Sequence, residues 1–290
     1  MRYRSFRIHR FNIKKAVAIG APVLVACIAF VVVLFTVIIP NGRYKAAVEL
    51  YDSGKYDQAI AAFTALGGYK DSDDYVERCY IGQISEEKYS VLKSINIGDT
   101  FVFGEYEQDN DPSNGKEPIE WVVLDRDGVD LLLLSKYALD CQPYNTARSY
   151  ITWENCTLRK WLNDEFLNEA FSPEDQDRIV DSLVPAGVNT QYDSPAGNDT
   201  RDRVFLLSIT EAHKYFTSNN ARQCSGTAYC IAREAEKDAG DTCRWWLRSP
   251  GYSTIGASNV SYGGAVVTRG DGVNRLDFTV RPALWIDMGV

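Results

Sequence analysis

The stretches Ile119-Glu120-Trp121-Val122-Val123-Leu124-Asp125 and Val129-Asp130-Leu131-Leu132-Leu133-Leu134-Ser135 decide the fold of the larger part of the chain. Both are short apolar runs, and Arg126-Asp127-Gly128 between them is a turn signal. Just upstream, residues 99–106 alternate apolar and polar side chains, which is typical of a half-buried strand. The three runs therefore predict an antiparallel meander.

Residues downstream of the meander predict helices that flank the sheet. Residues 157–166 place four apolar side chains on one helical face: Leu158, Trp161, Leu162 and Phe166. Ser172 followed by Pro173 is typical of a helix start. Residues 184–203 indicate a long polar loop, residues 208–217 a helix, and residues 245–290 strands broken by glycine-rich turns. The fold class predicted for this part is α+β.

Upstream of the sheet, residues 43–94 predict a short helical stalk. Apolar residues recur at three and four positions from Ala46 to Phe63, and Gly54 supplies a turn between two antiparallel helices. Residues 50–59 resemble one tetratricopeptide unit, and residues 73–93 add another helix. Because such repeats need stacked neighbours, a single unit favours a stalk that docks on the next domain; a peptide-binding groove is the alternative.

The run from Ala16 to Ile39 contains no charged residue. A helix of this length reaches about 36 Å, enough to cross a hydrocarbon core of about 30 Å. Basic residues precede the run and no acid does, so we expect residues 1–15 in the cytoplasm and the C-terminal domain outside the cell membrane. A cleaved signal peptide is the alternative, but the run is too long for one and lacks a small-x-small cleavage site.

The predicted organisation has four parts: a basic cytoplasmic tail (1–15), a transmembrane helix (16–39), a tetratricopeptide-like stalk (43–94) and a C-terminal α+β domain (96–290). The chain carries a formal net charge of −8, and the residues after the tail hold 25 basic and 39 acidic side chains. Such an acidic ectodomain lacks the lysine and arginine clusters that neutralise phosphates, which excludes a nucleic-acid partner.

Six of the seven cysteines follow residue 40, an even number that favours disulfide bonds outside the cytoplasm. Cys224 and Cys230 are the candidate pair, because a short loop closes easily. Buried free thiols, and a zinc site shared with His213, are the alternatives; otherwise this histidine is expected on the solvent face of a helix. Residues 109–115 imitate a calcium loop but hold Asn114 where glycine is needed, so a solvated turn is expected. The sequence predicts no cofactor and no metal site.

A cluster of aromatic and arginine residues towards the C-terminus is the candidate binding site. Core packing, with arginine stacked on indole, is one interpretation. The other is a stacking floor for a sugar or peptide with polar residues at its edge, because binding sites combine aromatic surfaces with a few polar groups. The candidate ligand-binding residues are Trp153, Trp245, Trp246, Arg248, Asn259, Tyr262 and Arg281.

Five blocks in order carry a resemblance to a known family: Phe103-Gly104 with residues 118–124, then residues 153–163, 205–208, 245–251 and 280–284. Together they resemble an uncharacterised bacterial domain-of-unknown-function family that has no established activity. The order of the last blocks is similar to the end of the C-type lectin-like and sulfatase-modifying-factor fold, which implies a C-type lectin-like antiparallel sheet. The calcium triplet and catalytic cysteine pair of that fold have no clean counterpart here.

The function that we expect is binding, outside the cytoplasm, by a membrane-anchored protein. Its ligand or partner would be an envelope glycan or a peptide, and loops rich in Tyr, Trp, Asn, Ser and Gly suit adaptable recognition. Two alternatives stay open. One is a hydrolase or modifying enzyme of the envelope that uses carboxylates the sequence does not single out. The other is a scaffold whose helices hold a membrane protein complex.

Overall fold

The computed structural model of the chain describes residues 37–83 and 91–289. The chain divides into two compact units, Met1–Gln83 and Ile84–Val290. Residues 91–94 are helical and belong to the second unit, although the sequence assigns them to the stalk. The basic tail of residues 1–15 lies outside the described residues.

Three helices form the described part of the first unit: α1 (Ile39–Asp52), α2 (Tyr56–Thr64) and α3 (Ser72–Gln83). Gly54, at φ +70°, lies in the turn between α1 and α2, where the absence of a Cβ relieves the strain of a left-handed backbone. Phe63 stacks on Tyr75 of α3 with ring centroids 4.8 Å apart. The fully buried centre consists of Ala47, Ala59, Phe63 and Cys79. The predicted hairpin is thus completed by a third helix.

The predicted fold class, which includes a transmembrane helix, is wrong for the described residues. Within residues 37–83 and 91–289, no helix combines the length and the apolar character needed to cross a membrane. Only residues 37–39 of the predicted span fall in this part of the chain, and Ile39 already begins α1. From that point α1 carries charges, among them Arg43, Lys45 and Glu49, which an apolar span excludes. The remainder of the predicted span, residues 16–36, lies outside the described residues.

The strands of the second unit, β1 to β12 in chain order, are Thr100–Tyr106, Glu117–Asp127, Asp130–Ser135, Asp140–Cys141, Ser182–Val184, Thr200–Asp202, Val204–Phe205, Trp245–Pro250, Gly256–Val260, Val266–Gly272, Thr279–Val280 and Ala283–Asp287. One five-stranded sheet has the order β1-β2-β3-β12-β7 and is antiparallel throughout. Its first three strands confirm the predicted meander. Leu131 to Ser135 of β3 are all buried, because the strand is covered on both faces.

A second five-stranded sheet has the order β10-β9-β8-β11-β4. Its strands pair antiparallel except for β11 and β8, which run parallel where Thr279 faces Trp245. β5 and β6 form a separate two-stranded ribbon at the two ends of the region predicted as a long loop, residues 184–203. The single antiparallel sheet that the sequence predicts is therefore two sheets and a ribbon, and one pairing is parallel because the chain returns to the second sheet through a crossover.

The helices of the second unit include α4 (Thr157–Trp161), α5 (Leu167–Ala170), α6 (Pro173–Arg178), α7 (Ile209–Tyr215), α8 (Asn219–Arg222) and α9 (Ala228–Ala232). A π-helical turn, Leu162–Phe166, joins α4 to α5. Ser172 caps α6 through the Asp175 N–H, as the sequence predicts. Ser208 and Glu211 form a reciprocal capping box on α7, which fixes where that helix begins.

Candidate functional site

A polar cavity of about 600 Å³ opens beside the π-helical turn. We call it the acidic pocket and define it by six of its lining residues: Tyr106, Asp140, Trp161, Glu165, Glu169 and Arg233. They come from the end of β1, from β4, from the continuous segment that runs from the last residue of α4 through the π-helical turn into α5, and from the residue that follows α9. The pocket thus gathers parts of the second unit that lie far apart in sequence.

A buried hydrogen-bonded network forms the floor of the pocket. Asp140 is 1% exposed, and its Oδ2 accepts a hydrogen bond of 2.6 Å from the Tyr106 hydroxyl. Its Oδ1 pairs with Arg233 Nε at 2.9 Å and accepts the Cys141 N–H at 2.6 Å. Both carboxylate oxygens are therefore satisfied, as a buried charge requires.

The electrostatics of this floor are dominated by burial. Burial raises the pKa of Asp140, although the Tyr106 hydroxyl and the Arg233 charge act in the opposite direction. Burial and the neighbouring Asp140 carboxylate raise the pKa of Tyr106 well above its usual value. Glu169 adds a repulsive charge that raises the pKa of both groups. Tyr106 is consequently a neutral hydrogen-bond donor at physiological pH.

The π-helical turn shapes the acidic wall of the pocket. The Asn163 amide fills the widened turn: its Oδ1 accepts the Arg203 and Val204 N–H groups at 2.8 and 3.1 Å, and its Nδ2 donates to Val204 O at 2.8 Å. This anchoring leaves Asp164 and Glu165 exposed on the pocket side. Insertions of this kind inside α-helices occur frequently at functional sites, because they redirect side chains.

Two aromatic rings complete the pocket walls. Trp161 and Tyr229 are half-buried, so part of each ring faces the cavity. Trp161 lies 5.4 Å from Phe166, and Tyr229 meets Tyr106 edge-on at 5.8 Å, so the core holds both rings in place. The pocket offers carboxylates, hydroxyls and aromatic faces together, which is the composition of a site for a polar ligand with apolar faces.

The predicted tryptophans lie in the core. Trp245 and Trp246 are fully buried and Trp153 is 2% exposed. Trp153 Nε1 donates to the buried Asp202 at 2.9 Å, and Trp246 Nε1 donates to Gln142 O at 3.0 Å. Trp246 also stacks on Phe278 with centroids 4.1 Å apart. None of these three indoles presents a face to solvent.

The predicted arginines and polar residues occupy similar surroundings. Arg248 is 2% exposed and forms a two-pronged ion pair with Glu211. Arg281 is 4% exposed and lies over the Trp245 ring at 5.1 Å. Asn259 is buried and donates to Asp271 at 3.0 Å, whereas Tyr262 is half-buried. These are contacts of core residues, and a ligand-binding role for the predicted set stays a prediction.

The described cysteines are buried free thiols. Cys224 and Cys230, the candidate disulfide pair, are not joined, and burial raises the pKa of both thiols. Cys243 lies opposite Cys224, to whose carbonyl its N–H donates at 2.8 Å. A raised pKa keeps a thiol protonated and unreactive at neutral pH. His213 is exposed on α7, as the sequence predicts.

The loop that imitates a calcium site, residues 109–115, is flanked by Glu107 and Glu117, whose carboxylate oxygens lie within 4.8 Å of one another and of Asp109. Main-chain N–H groups of the loop already use these carboxylates: the Gln108 and Asp109 N–H groups donate to Glu117 Oε2 at 2.7 and 3.2 Å. The arrangement is that of a self-stabilised polar turn.

The sequence indicates one wall of the acidic pocket through the carboxylates on the polar face of a helical segment, although the candidate site predicted from it is the aromatic cluster instead. The helical pattern of residues 157–166 is read from its apolar face alone, whereas the polar face of the same segment carries Asp164, Glu165 and, further on, Glu169. Tyr106, Asp140 and Arg233 reach this face only through the tertiary fold, so no local pattern reveals them.

Comparison with known proteins places the second unit in a family. A family model described as "Domain of unknown function (DUF6273)" matches residues 129–288, and four of the five sequence blocks fall inside this span. No curated protein and no solved structure matches the chain. The resemblance to a domain-of-unknown-function family is thus confirmed, and the lectin-like tail is not. With more than half of its length matched, the chain belongs to the DUF6273 family.

Proposed function

We propose that the chain is an extracytoplasmic binding protein whose second unit takes a glycan or peptide ligand in the acidic pocket. The observation that carries this proposal is a cavity of about 600 Å³ whose polar groups and aromatic faces converge in one place. Pockets of this size are typical of sites for small ligands and ligand segments.

Rigidity of the floor supports a binding role. Tyr106, Asp140 and Arg233 hold one another through hydrogen bonds and an ion pair of 2.6 to 2.9 Å. A site whose groups are already held in place loses little conformational entropy when a ligand enters. The exposed polar groups of the wall remain available to a ligand, because the floor does not use them.

Location outside the cytoplasm is supported by the N-terminal sequence. Six basic residues precede an uncharged run in residues 16–39, which is the pattern of a chain delivered for export. The envelope glycans and peptides met there carry hydroxyl, amide and amine groups, which carboxylates and aromatic rings bind well. The hydrolase and scaffold alternatives stay predictions.

The test is an array of glycans, cell-wall fragments and peptides probed with the full-length chain and two variants. Trp161→Ala removes a ring of the pocket wall, and Tyr150→Ala removes a ring that is 76% exposed and does not line the pocket. We expect saturable binding that Trp161→Ala abolishes and Tyr150→Ala preserves, with circular dichroism showing that both variants are folded. Binding that survives Trp161→Ala, or a blank array from the folded wild type, would contradict the proposal.

A further inference from the structure

The charge of the acidic pocket narrows the chemistry of its ligand. Four carboxylates line the cavity, those of Asp140, Asp164, Glu165 and Glu169, against two cations, Lys160 and Arg233. Arg233 is paired with Asp140, so these two charges offset each other. Asp164, Glu165 and Glu169 then outnumber Lys160, and the part of the pocket that a ligand meets is negative.

These wall carboxylates have few partners of their own within the described part of the chain. Glu169 lies 4.0 Å from Lys116, at the outer limit of an ion pair. Asp164 Oδ1 accepts one weak hydrogen bond of 3.4 Å from Asn168. Their charges are therefore available to a cation that enters the cavity, and partial enclosure strengthens the attraction relative to open water.

The aromatic rings of the pocket favour ligands that have a ring face as well as a positive charge. An ammonium group is attracted to the faces of indole and phenol rings, and sugar rings stack on the same faces through their C–H groups. Tyr229 already interacts with one cation, since the Arg233 guanidinium lies 5.3 Å from its centroid. Trp161, half-buried at the acidic wall, is the ring left for a ligand.

Hydroxyl and amide groups fill the remaining edge. Thr146, Thr157 and Gln142 line the same cavity and supply donors and acceptors for sugar hydroxyls. A sugar that carries a free amine would use the carboxylates, the indole face and this polar edge together.

We propose that the acidic pocket binds oligosaccharides of amino sugars whose amines are free, rather than N-acetylated or acidic sugars. The inference rests on the proposed function and adds the substrate class. An N-acetyl group removes the positive charge that pairs with the wall carboxylates, and an acidic sugar is repelled by them.

The test compares the β-1,4-linked hexamer of glucosamine with its fully N-acetylated counterpart by isothermal titration calorimetry of the full-length chain at slightly acidic pH. We expect the free-amine hexamer to bind at least about fivefold more tightly, which corresponds to one favourable exposed ion pair. Its affinity should fall as salt rises, because ions screen the attraction. Spermidine, which has amines without sugar rings, should bind at least about tenfold more weakly than the hexamer.

Two variants test whether the charge of Glu165 contributes to binding. Glu165→Gln keeps the size of the side chain and should lower affinity for the free-amine hexamer by about fivefold. Glu174→Gln, on α6 and outside the pocket lining, is the matched control and should leave affinity unchanged.

The possible outcomes separate the two proposals. Equal or tighter binding of the N-acetylated hexamer in the pocket would overturn the inference and leave the proposed function standing. Spermidine binding as tight as that of the hexamer would also overturn it. If the array identifies ligands that Trp161→Ala binds as well as wild type does, the proposed function itself fails.

Discussion

Two regions of the second unit use the same kinds of residue for opposite purposes. Around Trp245 and Trp246, indole and guanidinium groups are buried, and their main polar partners are protein atoms. Around Trp161, an indole and several carboxylates line an open cavity. Residue type is alike in the two regions, whereas burial and pairing differ. We call the first region the tryptophan core.

The difference shows why a residue list does not identify a binding site. Trp246 Nε1 and the Arg248 guanidinium donate to acceptors inside the protein, so their bonding capacity is spent on the fold. Arg281 Nη1 and Asn259 Oδ1 have no hydrogen-bond partner among the described residues, but both side chains are buried. A polar group at the rim of a cavity keeps capacity for a ligand. We therefore expect substitutions in the tryptophan core to lower stability and substitutions in the wall of the acidic pocket to lower binding.

The largest effect is expected from Trp246→Ala. It removes a fully buried indole that stacks on Phe278 and donates to Gln142 O, so we expect a loss of about 3–5 kcal/mol in the free energy of unfolding. Urea titration followed by tryptophan fluorescence measures it, because all six tryptophans belong to the second unit. Trp161→Ala is the matched control, with a smaller loss of about 1–2 kcal/mol because its ring is only half-buried. Equal losses of unfolding free energy for the two variants would show that Trp161 contributes to the fold as much as Trp246 does.

The second prediction concerns the ion pair of the tryptophan core. Glu211→Gln takes the countercharge from Arg248, which is 2% exposed, and leaves it with the carbonyl oxygens of Leu206 and Pro185. Because a buried charge without its partner is costly, we expect a loss of about 2–4 kcal/mol in the free energy of unfolding. Urea titration at neutral pH measures it.

Its control lies on the same helix. Lys214 of α7 pairs with Asp125 at 2.7 Å, but its side chain is 60% exposed. Lys214→Gln should cost less than about 1 kcal/mol, because solvent screens an exposed pair. A loss for Lys214→Gln as large as that for Glu211→Gln would show that burial does not set the energy of these pairs.

Sequence patterns predicted the elements better than their assembly. Alternation located β1, short apolar runs located β2 and β3, and the Ser172 cap located the start of α6. These signals depend on neighbours in the chain. The division into two sheets was missed, since it depends on a crossover that pairs β11 with β8 in parallel. Such pairings join residues far apart in sequence and leave no local pattern.

The acidic pocket was missed for a related reason. Tyr106, Asp140 and Arg233 are separated by 34 residues or more along the chain and meet only in the folded unit. The π-helical turn that exposes Glu165 depends on the Asn163 amide reaching Val204, a contact across 41 residues. The tryptophan core, by contrast, stands out in sequence because rare, large residues are adjacent there.

The third prediction concerns the floor of the acidic pocket, where a buried and paired carboxylate also lines the cavity. Asp140 is buried and its pKa is raised above about 3.9, the value in an unfolded chain. The folded state therefore binds the proton more tightly, and the contribution of Asp140 to stability decreases as pH rises through the folded pKa. Arg233→Gln raises that pKa further, so the variant should match wild type below the unfolded pKa of about 3.9 and lose about 1–3 kcal/mol near neutral pH.

Urea titrations across this pH range measure the effect. The double variant Asp140→Asn with Arg233→Gln is the control, because without the carboxylate the added pH dependence should disappear. A pH-independent loss in Arg233→Gln would mean that packing of the arginine, which is 43% exposed, matters more than its charge.

The smallest effect on stability is expected for Glu165→Gln, a substitution that should nevertheless weaken binding. Glu165→Gln changes an exposed carboxylate of the acidic wall that has no ion pair among the described residues, so the free energy of unfolding should change by less than about 0.5 kcal/mol. Because Asp164, Glu165 and Glu169 repel one another across the cavity, the sign of that change should be stabilising. Urea titration at low and high salt measures it, and the gain should shrink as salt screens the repulsion. A clear loss of stability would place Glu165 in the fold and not in the site. If Glu165→Gln is stable and no longer distinguishes free from acetylated amines, this side chain contributes to binding and not to stability, in contrast to the side chains of the tryptophan core.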